Sequence, residues 1–337
     1  MAEAAVIFGA AGTALTPWER AFFEEIRPFG FILFARNVES PAQLAALTAE
    51  MREVAGHDAP ILIDQEGGRV ARLRPPHWQE WLPVRELGEG DPLTALTALE
   101  LRYRIIAGEL RAVGIDVDCM PLLDVPQLNA HPIIGDRALG MGPEEVAIRG
   151  RAVCDGLLAG GVLPVVKHLP GHGRALHDSH ESLPVVTAPL DELRAVDFLP
   201  FRALRDQAMG MTAHVTYRVL DPDRCATLSP RVIAEIRETI GFDGLLMTDD
   251  LSMKALSGPM GARAEAALGA GCDLILHCNG DAAEMAAIAE VLPELTGPAA
   301  QRADRALSLR KPAPEADLTA LRAEYDRLTR REESAVA

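Results

Sequence analysis

Length, composition and charge mark the chain as an ordinary globular protein. It has 337 residues, of which 48% are hydrophobic and 24% are charged, and this composition argues against a disordered, fibrous or disulfide-stapled chain. The formal net charge of -16 comes from 49 acidic and 33 basic residues. Nucleic acids and anionic membrane surfaces would repel such a protein, so we expect neither as a partner.

Cysteine placement and the first residues of the chain indicate the compartment. The five cysteines lack C-x-x-C spacing, which favours buried thiols in a reducing cytosol over a zinc site or a redox pair. They are Cys119, Cys154, Cys225, Cys272 and Cys278. The opening residues MAEAAVIFGAAG lack a basic segment, and no apolar run reaches the ~20 residues that span a bilayer. We therefore expect a cytoplasmic protein, and nothing in the sequence implies an obligatory protein partner.

Short apolar runs recur along the chain between longer amphipathic stretches, as buried strands do between helices. In chain order they cover residues 5–9, 30–34, 61–64, 115–124, 162–168, 210–214, 244–249 and 273–278. Ser40 and Pro41 are typical of a helix start, and Gly56 is typical of its end. Runs that are buried on both faces and alternate with helices indicate parallel strands with right-handed crossovers. Eight such units predict a single (β/α)8 TIM-type barrel of the α/β class.

Polar side chains stand where these predicted strands end. They are Asp64, Asp124, Lys167, His168, His214, Asp249 and His277. In a TIM-type barrel the C-terminal ends of the strands carry the active site. We therefore predict that the functional site lies at this end of the barrel.

The end of the chain differs in character from the predicted barrel. Residues 301–337 are charged and helix-prone, which indicates a surface helix with frayed ends. We expect a catalytic barrel over residues 1–300, followed by a C-terminal helical extension over residues 301–337 that packs on the barrel or trails from it.

Four of the nine histidines lie within the segment KHLPGHGRALHDSH. Pro170 and two glycines interrupt it, so we predict a loop rather than a helix. Asp178 stands two residues before His180, close enough for its carboxylate to fix the imidazole tautomer and favour the protonated ring. Such a pair can act as general acid and base near neutral pH. The spacing alone is equally compatible with metal binding or a structural role.

The segment GFDGLLMTDDLSM delivers two carboxylates to the end of the seventh predicted strand. Asp249 and Asp250 are adjacent, and adjacent strand residues point in opposite directions. Only one of them can therefore face the barrel mouth, where it could be a nucleophile, a base, a metal ligand or a helix cap. From position alone, the cap is favoured.

The segment LIDQEGGRVARL, at the third predicted strand, mixes charges of both signs. Arg69 and Arg72 stand beside Asp64 and Glu66, a mixture that can clamp hydroxyl-rich ligands but also forms ordinary salt bridges. Its double glycine is not a nucleotide-binding fingerprint, so no nucleotide cofactor is expected. Arg137, in the loop segment IIGDRAL, is likewise either a ligand-binding or a simply paired arginine.

Taken together, LIDQEGGRVARL, IGDRAL, KHLPGHG followed by DSH, and GFDGLLMTDDLSM resemble the NagZ-type β-N-acetylglucosaminidases (β-hexosaminidases) of glycoside hydrolase family 3. The resemblance extends from about residue 5 to about residue 280, in the family's order. It implies a retaining exo-glycosidase that removes terminal β-linked N-acetylglucosamine through a covalent glycosyl-enzyme, without a metal or a cofactor. It also implies muropeptide substrates, GlcNAc-anhydroMurNAc peptides, in cytoplasmic peptidoglycan recycling.

The same resemblance implies roles for individual residues. Asp249 matches the nucleophile, His180 the general acid/base, and Asp178 the residue that orients it. The positions that match sugar-binding residues are Asp64, Arg72, Arg137, Lys167 and His168. Leu169 stands where the family usually has Phe, and residues 174–177 replace a loop that more often begins with Asp. These departures bear on aglycone preference and loop motion.

Three other functions would use some of the same residues. A metal-dependent barrel hydrolase would use His168, His214 and Asp249 as ligands and His180 as a base, although the expected His-x-His near the first strand is missing. A Schiff-base aldolase would use Lys167. A catalytically silent sugar-binding barrel would bind N-acetylglucosamine without turnover.

Overall fold

Eight parallel strands close into a barrel in the computed structural model, which describes residues 3–88, 91–127, 130–179, 181–310 and 317–329. With two further strands outside the barrel, the described residues form ten strands: β1 (Ala4–Gly9), β2 (Pro28–Leu33), β3 (Ile61–Ile63), β4 (Val117–Asp118), β5 (Leu163–Leu169), β6 (Val185–Val186), β7 (Met209–Thr212), β8 (Thr216–Tyr217), β9 (Leu245–Asp250) and β10 (Leu274–His277). The order around the barrel is β1-β10-β9-β7-β5-β4-β3-β2, and β6 and β8 pair with each other outside it. The predicted (β/α)8 barrel is confirmed.

Helices follow the barrel strands, and one of them shows the ends that the sequence predicts. The helices are α1 (Pro17–Ile26), α2 (Pro41–Ala55), α3 (Pro92–Ala112), α4 (Pro143–Ala159), α5 (Leu190–Ala195), α6 (Leu199–Ala203), α7 (Pro230–Ala234), α8 (Met260–Ala270), α9 (Ala282–Ala289), α10 (Gly297–Leu307) and α11 (Leu318–Thr329). At the start of α2, the Ser40 hydroxyl accepts a hydrogen bond from the backbone N–H of Gln43 at 3.3 Å. Gly56 ends α2 in the left-handed region, with φ of 68°.

Side chains of the barrel strands are buried on both faces. In β1, Ala5 and Ile7 belong to the interior cluster of the barrel, whereas Val6 and Phe8 belong to the layer between barrel and helices. This alternation follows from the two-residue period of a strand. It explains why the strands have near-continuous apolar sequences.

Helix α10 covers the N-terminal end of the barrel. Its Ala303 and Ala306 belong to the same interior cluster as the inward side chains of the strands. Just before this helix, the backbone N–H of Leu295 donates to the carbonyl of Glu3, next to the start of β1, at 2.8 Å. The opposite, C-terminal end of the barrel is left for the loops and for a ligand.

The fourth barrel strand is shorter than predicted. The expectation was a strand over residues 115–124, but β4 contains only Val117–Asp118. Pro121 interrupts the ladder because proline has no N–H to donate. Beyond it, the N–H of Leu123 donates to the carbonyl of Lys167 at 2.7 Å, which keeps the segment beside β5 as it continues toward the barrel mouth.

The C-terminal helices contact the rest of the chain. Arg322 of α11 forms an ion pair with Glu109 of α3, and the ring of Tyr325 lies edge-on to Trp81 with 5.3 Å between ring centroids. Because α10 begins at Gly297, the predicted boundary at residue 300 falls inside a helix, and the division into barrel and extension stays a prediction. In the described parts of the chain, every helix is too short or too polar to cross a membrane.

Gly67, in the tight turn after β3, gives a first test of the fold. Its φ of 87° lies in the region that favours glycine, and an added Cβ would overlap the guanidinium of Arg102. We expect Gly67→Ala to lower the free energy of unfolding by about 2–4 kcal/mol. The matched control is Gly12→Ala, because open space surrounds that position; it should change stability by less than about 0.5 kcal/mol. Similar urea midpoints for the two variants would contradict this account of the turn.

Candidate active site

A cavity opens at the C-terminal end of the barrel, as predicted. Its volume is about 270 Å³, near the lower end of the range for small-molecule sites, which begins at ~300 Å³. Six of the side chains predicted from the sequence line it: Asp64, Arg72, Arg137, Lys167, His168 and Asp249. Asp178 lies in the loop after β5 and is partly exposed. The remaining predicted site residue, His180, lies outside the described residues.

Two carboxylates and three cations form an ion-pair network along this cavity. Asp64 accepts hydrogen bonds from Lys167 Nζ at 2.7 Å and from Arg72 Nη2 at 3.1 Å. Glu66 contacts Lys167 Nζ at 2.8 Å and accepts from Nε and Nη2 of Arg137, each at 2.9 Å. Burial raises the pKa of both carboxyls, but the cations outweigh it and hold each pKa below its ordinary value. The network is therefore ionised at neutral pH.

The protonation state of the Lys167 amine argues against the aldolase alternative. Burial lowers the pKa of its amine, but the Asp64 and Glu66 carboxylates outweigh burial, and the net pKa lies above its ordinary value. A Schiff-base lysine needs the unprotonated amine and therefore a lowered pKa. Lys167 is instead a permanent cation that can donate to an oxygen ligand.

Asp124 orients the ring of His168. The distance from His168 Nδ1 to Asp124 Oδ2 is 2.7 Å. Burial raises the pKa of Asp124, but His168 outweighs it and the net pKa is lowered. The carboxylate can then only accept, so Nδ1 carries the hydrogen and Nε2 is left for the cavity. The peptide bond between Lys167 and His168 is cis, and both side chains line the cavity.

His172 anchors the loop that contains the predicted acid/base pair. Burial is the main cause that lowers the pKa of His172 to about 4, so its ring is neutral at neutral pH. Its Nε2 lies 3.0 Å from the hydroxyl of Ser179, a buried residue between Asp178 and His180. The backbone N–H of His172 donates to Asp124 at 2.6 Å. One carboxylate thus ties both histidines of the KHLPGHG segment in place.

Arg174, at the start of the departing loop residues 174–177, has structural partners. Its Nε donates to Asp197 at 2.7 Å, and its Nη1 pairs with Glu192 at 2.7 Å. Glu192 belongs to α5, and Asp197 lies between α5 and α6. Arg174 therefore attaches the start of the altered loop to the outer helices.

The two aspartates at the end of β9 are used differently. The Asp250 carboxylate accepts from the N–H of Ser252 at 3.0 Å, from the Ser252 hydroxyl at 2.6 Å and from the N–H of Cys278 at 3.1 Å. Asp250 therefore organises the loop that follows the strand. Asp249 and Asp250 both line the cavity. The Asp249 carboxylate accepts from the N–H of Asp250 at 2.8 Å, whereas the three hydrogen bonds of the Asp250 carboxylate hold the following loop.

His214 does not suit the metal-site alternative. Its Nδ1 lies 2.7 Å from the hydroxyl of Thr227, and its Nε2 lies 2.9 Å from the carbonyl of Asp250. Both ring nitrogens are thus engaged inside the barrel wall, and neither is free to ligate a metal beside His168 and Asp249. Within the described ranges, no three His, Cys, Asp or Glu side chains are grouped as metal ligands.

Asp118 is a buried carboxyl that supports the ion-pair network. Its Oδ1 accepts from the N–H of Gln65 at 3.0 Å, and Gln65 stands between Asp64 and Glu66. Asp118 is fully buried, and burial raises its pKa to about 7, compared with ~3.9 in an unfolded chain. The folded protein therefore binds a proton here that the unfolded chain has already lost.

This raised pKa predicts a pH-dependent stability difference. A group with a raised folded-state pKa contributes stability below its unfolded pKa, and this contribution is lost as pH rises through the folded pKa. Asp118→Asn removes the titration, so its free energy of unfolding should rise relative to the original protein between about pH 4 and pH 7, by up to about 4 kcal/mol. Urea unfolding of both proteins at several pH values checks this. A difference that does not vary with pH would contradict it.

Two residues of this region were missed in the site predicted from the sequence. Glu66 stands two residues after Asp64, and the two-residue period of extended backbone could have placed both on the same face. His172 lies in the same histidine-rich segment as His168, but nothing in that segment predicts its hydrogen bond to Ser179. Both residues line the cavity.

Comparison with known proteins gives consistent matches in sequence. Residues 25–308 match the family model described as the glycosyl hydrolase family 3 N-terminal domain. A beta-hexosaminidase from Bordetella avium is 40% identical over 282 residues, which cover 81% of this chain and 80% of that relative. A beta-hexosaminidase from Methylococcus capsulatus is 42% identical over 278 residues, which cover 81% of this chain and 82% of that relative.

Solved structures give the same result for the fold. NagZ from Neisseria gonorrhoeae, solved in complex with N-trifluoroacetyl-D-glucosamine, has a TM-score of 0.87 and 30% sequence identity, and the match covers 98% of this chain and 99% of that one. A beta-N-acetylhexosaminidase from Beutenbergia cavernae has a TM-score of 0.78 and 26% identity, covering 91% of this chain and 96% of that one.

Proposed function

The chain belongs to glycosyl hydrolase family 3 and is a β-N-acetylhexosaminidase, and from this premise we propose that it cleaves terminal β-linked N-acetylglucosamine with retention of anomeric configuration. In this proposal Asp249 is the nucleophile, His180 is the general acid/base, and Asp178 orients His180. The catalytically silent alternative is wrong because the chain is an enzyme.

The first step forms a glycosyl-enzyme. The Asp249 carboxylate attacks the anomeric carbon, the bond from that carbon to the aglycone oxygen breaks, and the His180 imidazolium gives its proton to the departing oxygen. The observation that carries this step is the position of Asp249 in the cavity, with Asp250 committed to the following loop by three hydrogen bonds.

The second step releases the sugar. Neutral His180 takes a proton from water, the water oxygen attacks the anomeric carbon, and the bond to Asp249 breaks, so that two inversions give net retention. Retaining glycosidases ordinarily use two carboxylates. A histidine beside Asp178 can replace the second one, because an imidazole titrates near neutral pH and can serve as acid and then as base.

Four residues of the ion-pair network, together with His168, are proposed to bind the sugar hydroxyls. Asp64 can accept from hydroxyl groups, while Arg72, Arg137, Lys167 and His168 can donate to them. All five line the same cavity as Asp249. Contacts of this kind hold the ring while it distorts toward the oxocarbenium-like transition state.

We further propose that the natural substrates are muropeptides that carry N-acetylglucosamine on an anhydro-muramic acid unit, and that the reaction takes place in the cytoplasm. The support is the resemblance of the sequence motifs to those of the NagZ-type enzymes. Comparison of kcat/KM for such a muropeptide and for an N-acetylglucosamine disaccharide of chitin tests the first part. A preference for the chitin disaccharide would overturn it.

Proton NMR during hydrolysis of a chromogenic β-N-acetylglucosaminide tests the stereochemistry. The proposal predicts that β-N-acetylglucosamine is the first sugar to appear, before mutarotation produces the α anomer. Initial appearance of the α anomer would mean inversion and would overturn the two-step mechanism.

A further inference from the structure

Glu66 lines the cavity but has no role in the mechanism above. Its side chain is buried, and its oxygens are engaged by Lys167 and by Arg137. Its side chain is only 2% exposed, compared with 15% for Asp64, so a ligand hydroxyl reaches Glu66 less easily than Asp64. We propose that Glu66 is a positioning residue that holds Arg137 and Lys167 in the geometry that binds the sugar ring; this inference rests on the sugar-binding role proposed for those two residues.

Arg137 depends on Glu66 for most of its described hydrogen bonds. Glu66 accepts from its Nε and Nη2, and the carbonyl of Ile133 accepts from its Nη1 at 3.1 Å. Arg137 ends a short 3-10 turn in the loop after β4. Glu66 is itself fixed, because its carbonyl accepts from the hydroxyl of Tyr103 on α3 at 2.8 Å. The barrel scaffold therefore sets the position of a loop arginine through Glu66.

The N–H donors of Lys167 and Arg137 that protein groups do not occupy are the ones that a ligand can use. An ammonium group has three N–H donors. Asp64 accepts one of those of Lys167 at 2.7 Å, and Glu66 forms an ion pair with the same Nζ at 2.8 Å, so the two carboxylates together fix the position of the ammonium group. A guanidinium has five N–H donors, and three of those of Arg137 are taken by Glu66 and Ile133, so two remain. Glu66 thus selects which N–H groups of two cations can reach a sugar hydroxyl.

Glu66→Gln tests this role with little change in shape. The glutamine side chain has one oxygen and one NH2 group where Glu66 has two oxygens. If its oxygen stays beside Lys167 and Arg137 Nη2, its NH2 group lies opposite the N–H of Arg137 Nε. Two donors then face each other, and Arg137 must move. Because the lost contacts serve binding, we expect the Kd for N-acetylglucosamine and the KM for a chromogenic β-N-acetylglucosaminide each to rise at least ~10-fold. We expect kcat to fall by a smaller factor.

Glu235→Gln is the matched control. Glu235 is also buried, and it accepts two hydrogen bonds from Arg194, at 2.7 and 2.8 Å. This pair joins α5 to the segment after α7, away from the residues that line the cavity. Arg194 is 43% exposed, so the variant reports the effect on folding of losing a buried glutamate that pairs with a partly exposed arginine. Its Kd and KM should stay within about 2-fold of the original values.

Calorimetric titration with N-acetylglucosamine and steady-state kinetics separate the outcomes. A rise in Kd and KM for Glu66→Gln, without a rise for Glu235→Gln, supports the positioning role. A merely structural role would reduce the folded fraction, so that kcat falls while KM and Kd stay unchanged, and this result would overturn the inference. If the original protein itself fails to bind N-acetylglucosamine, the proposed substrate fails; if it binds and Glu66→Gln binds equally well, only the role of Glu66 fails.

Discussion

Replacement of Asp249 with alanine is expected to lower kcat/KM for β-N-acetylglucosaminides by at least ~10³-fold, because the variant lacks the carboxylate that is proposed to form the covalent bond to the anomeric carbon. The fold should survive, because Asp249 is only partly buried and its neighbour Asp250 makes the loop contacts. Steady-state kinetics with a chromogenic substrate, together with a thermal unfolding curve, measure both effects.

Asp243→Ala is the control for the Asp249 prediction. Asp243 precedes β9 at the opposite end of the barrel and is exposed, where its partners are Arg302 and Arg305. Its loss should leave kcat/KM within about 2-fold of the original value. A stably folded Asp249→Ala variant that keeps more than a tenth of the activity would show that Asp249 is not the nucleophile.

His180→Ala is expected to have an effect that depends on the leaving group. For an aglycone that leaves as an unactivated alcohol, loss of the general acid should lower kcat/KM by about 10²–10⁴-fold. For an acidic phenol the loss should be much smaller, because that group departs without a proton. Azide should then raise the turnover of the activated substrate, since an anionic nucleophile needs no base, and the product should be the β-glycosyl azide.

His177→Ala is the control in the same loop. His177 is exposed, three residues before His180, and its replacement should change activity by less than about 3-fold for either substrate. Equal losses for both leaving groups in His180→Ala, with no response to azide, would assign His180 a structural role instead of an acid/base role.

The barrel could be predicted because its signals are local. Each apolar run is long enough to mark a strand, and the capping of α2 by Ser40 and its end at Gly56 depend on neighbours within a few residues. The predicted fourth strand was too long because hydrophobicity continues through Pro121, whereas the regular ladder ends at Asp118 and only an isolated pairing with β5 follows at Leu122. Hydropathy indicates which residues are buried, whereas a proline marks a position that cannot donate a backbone hydrogen bond to a neighbouring strand.

The site was only partly predictable, because strand ends identify candidates but not partners. Asp64 and Lys167 are 103 positions apart, and Asp124 and His168 are 44 apart, so only the closed barrel brings each pair together. The raised pKa of Asp118 likewise follows from burial by several elements. For the same reason, sequence spacing alone left the role of the histidine-rich loop open.

Mass spectrometry of the trapped enzyme tests the central claim most directly. The protein is incubated with an activated, 2-substituted fluoro glycoside that forms a slowly hydrolysed glycosyl-enzyme. The masses of the intact protein and of its peptides are then measured. We predict one sugar per chain, attached to Asp249 and absent from Asp249→Ala. An adduct on another carboxylate, or no adduct from a protein that still hydrolyses a chromogenic β-N-acetylglucosaminide, would contradict the covalent mechanism at Asp249.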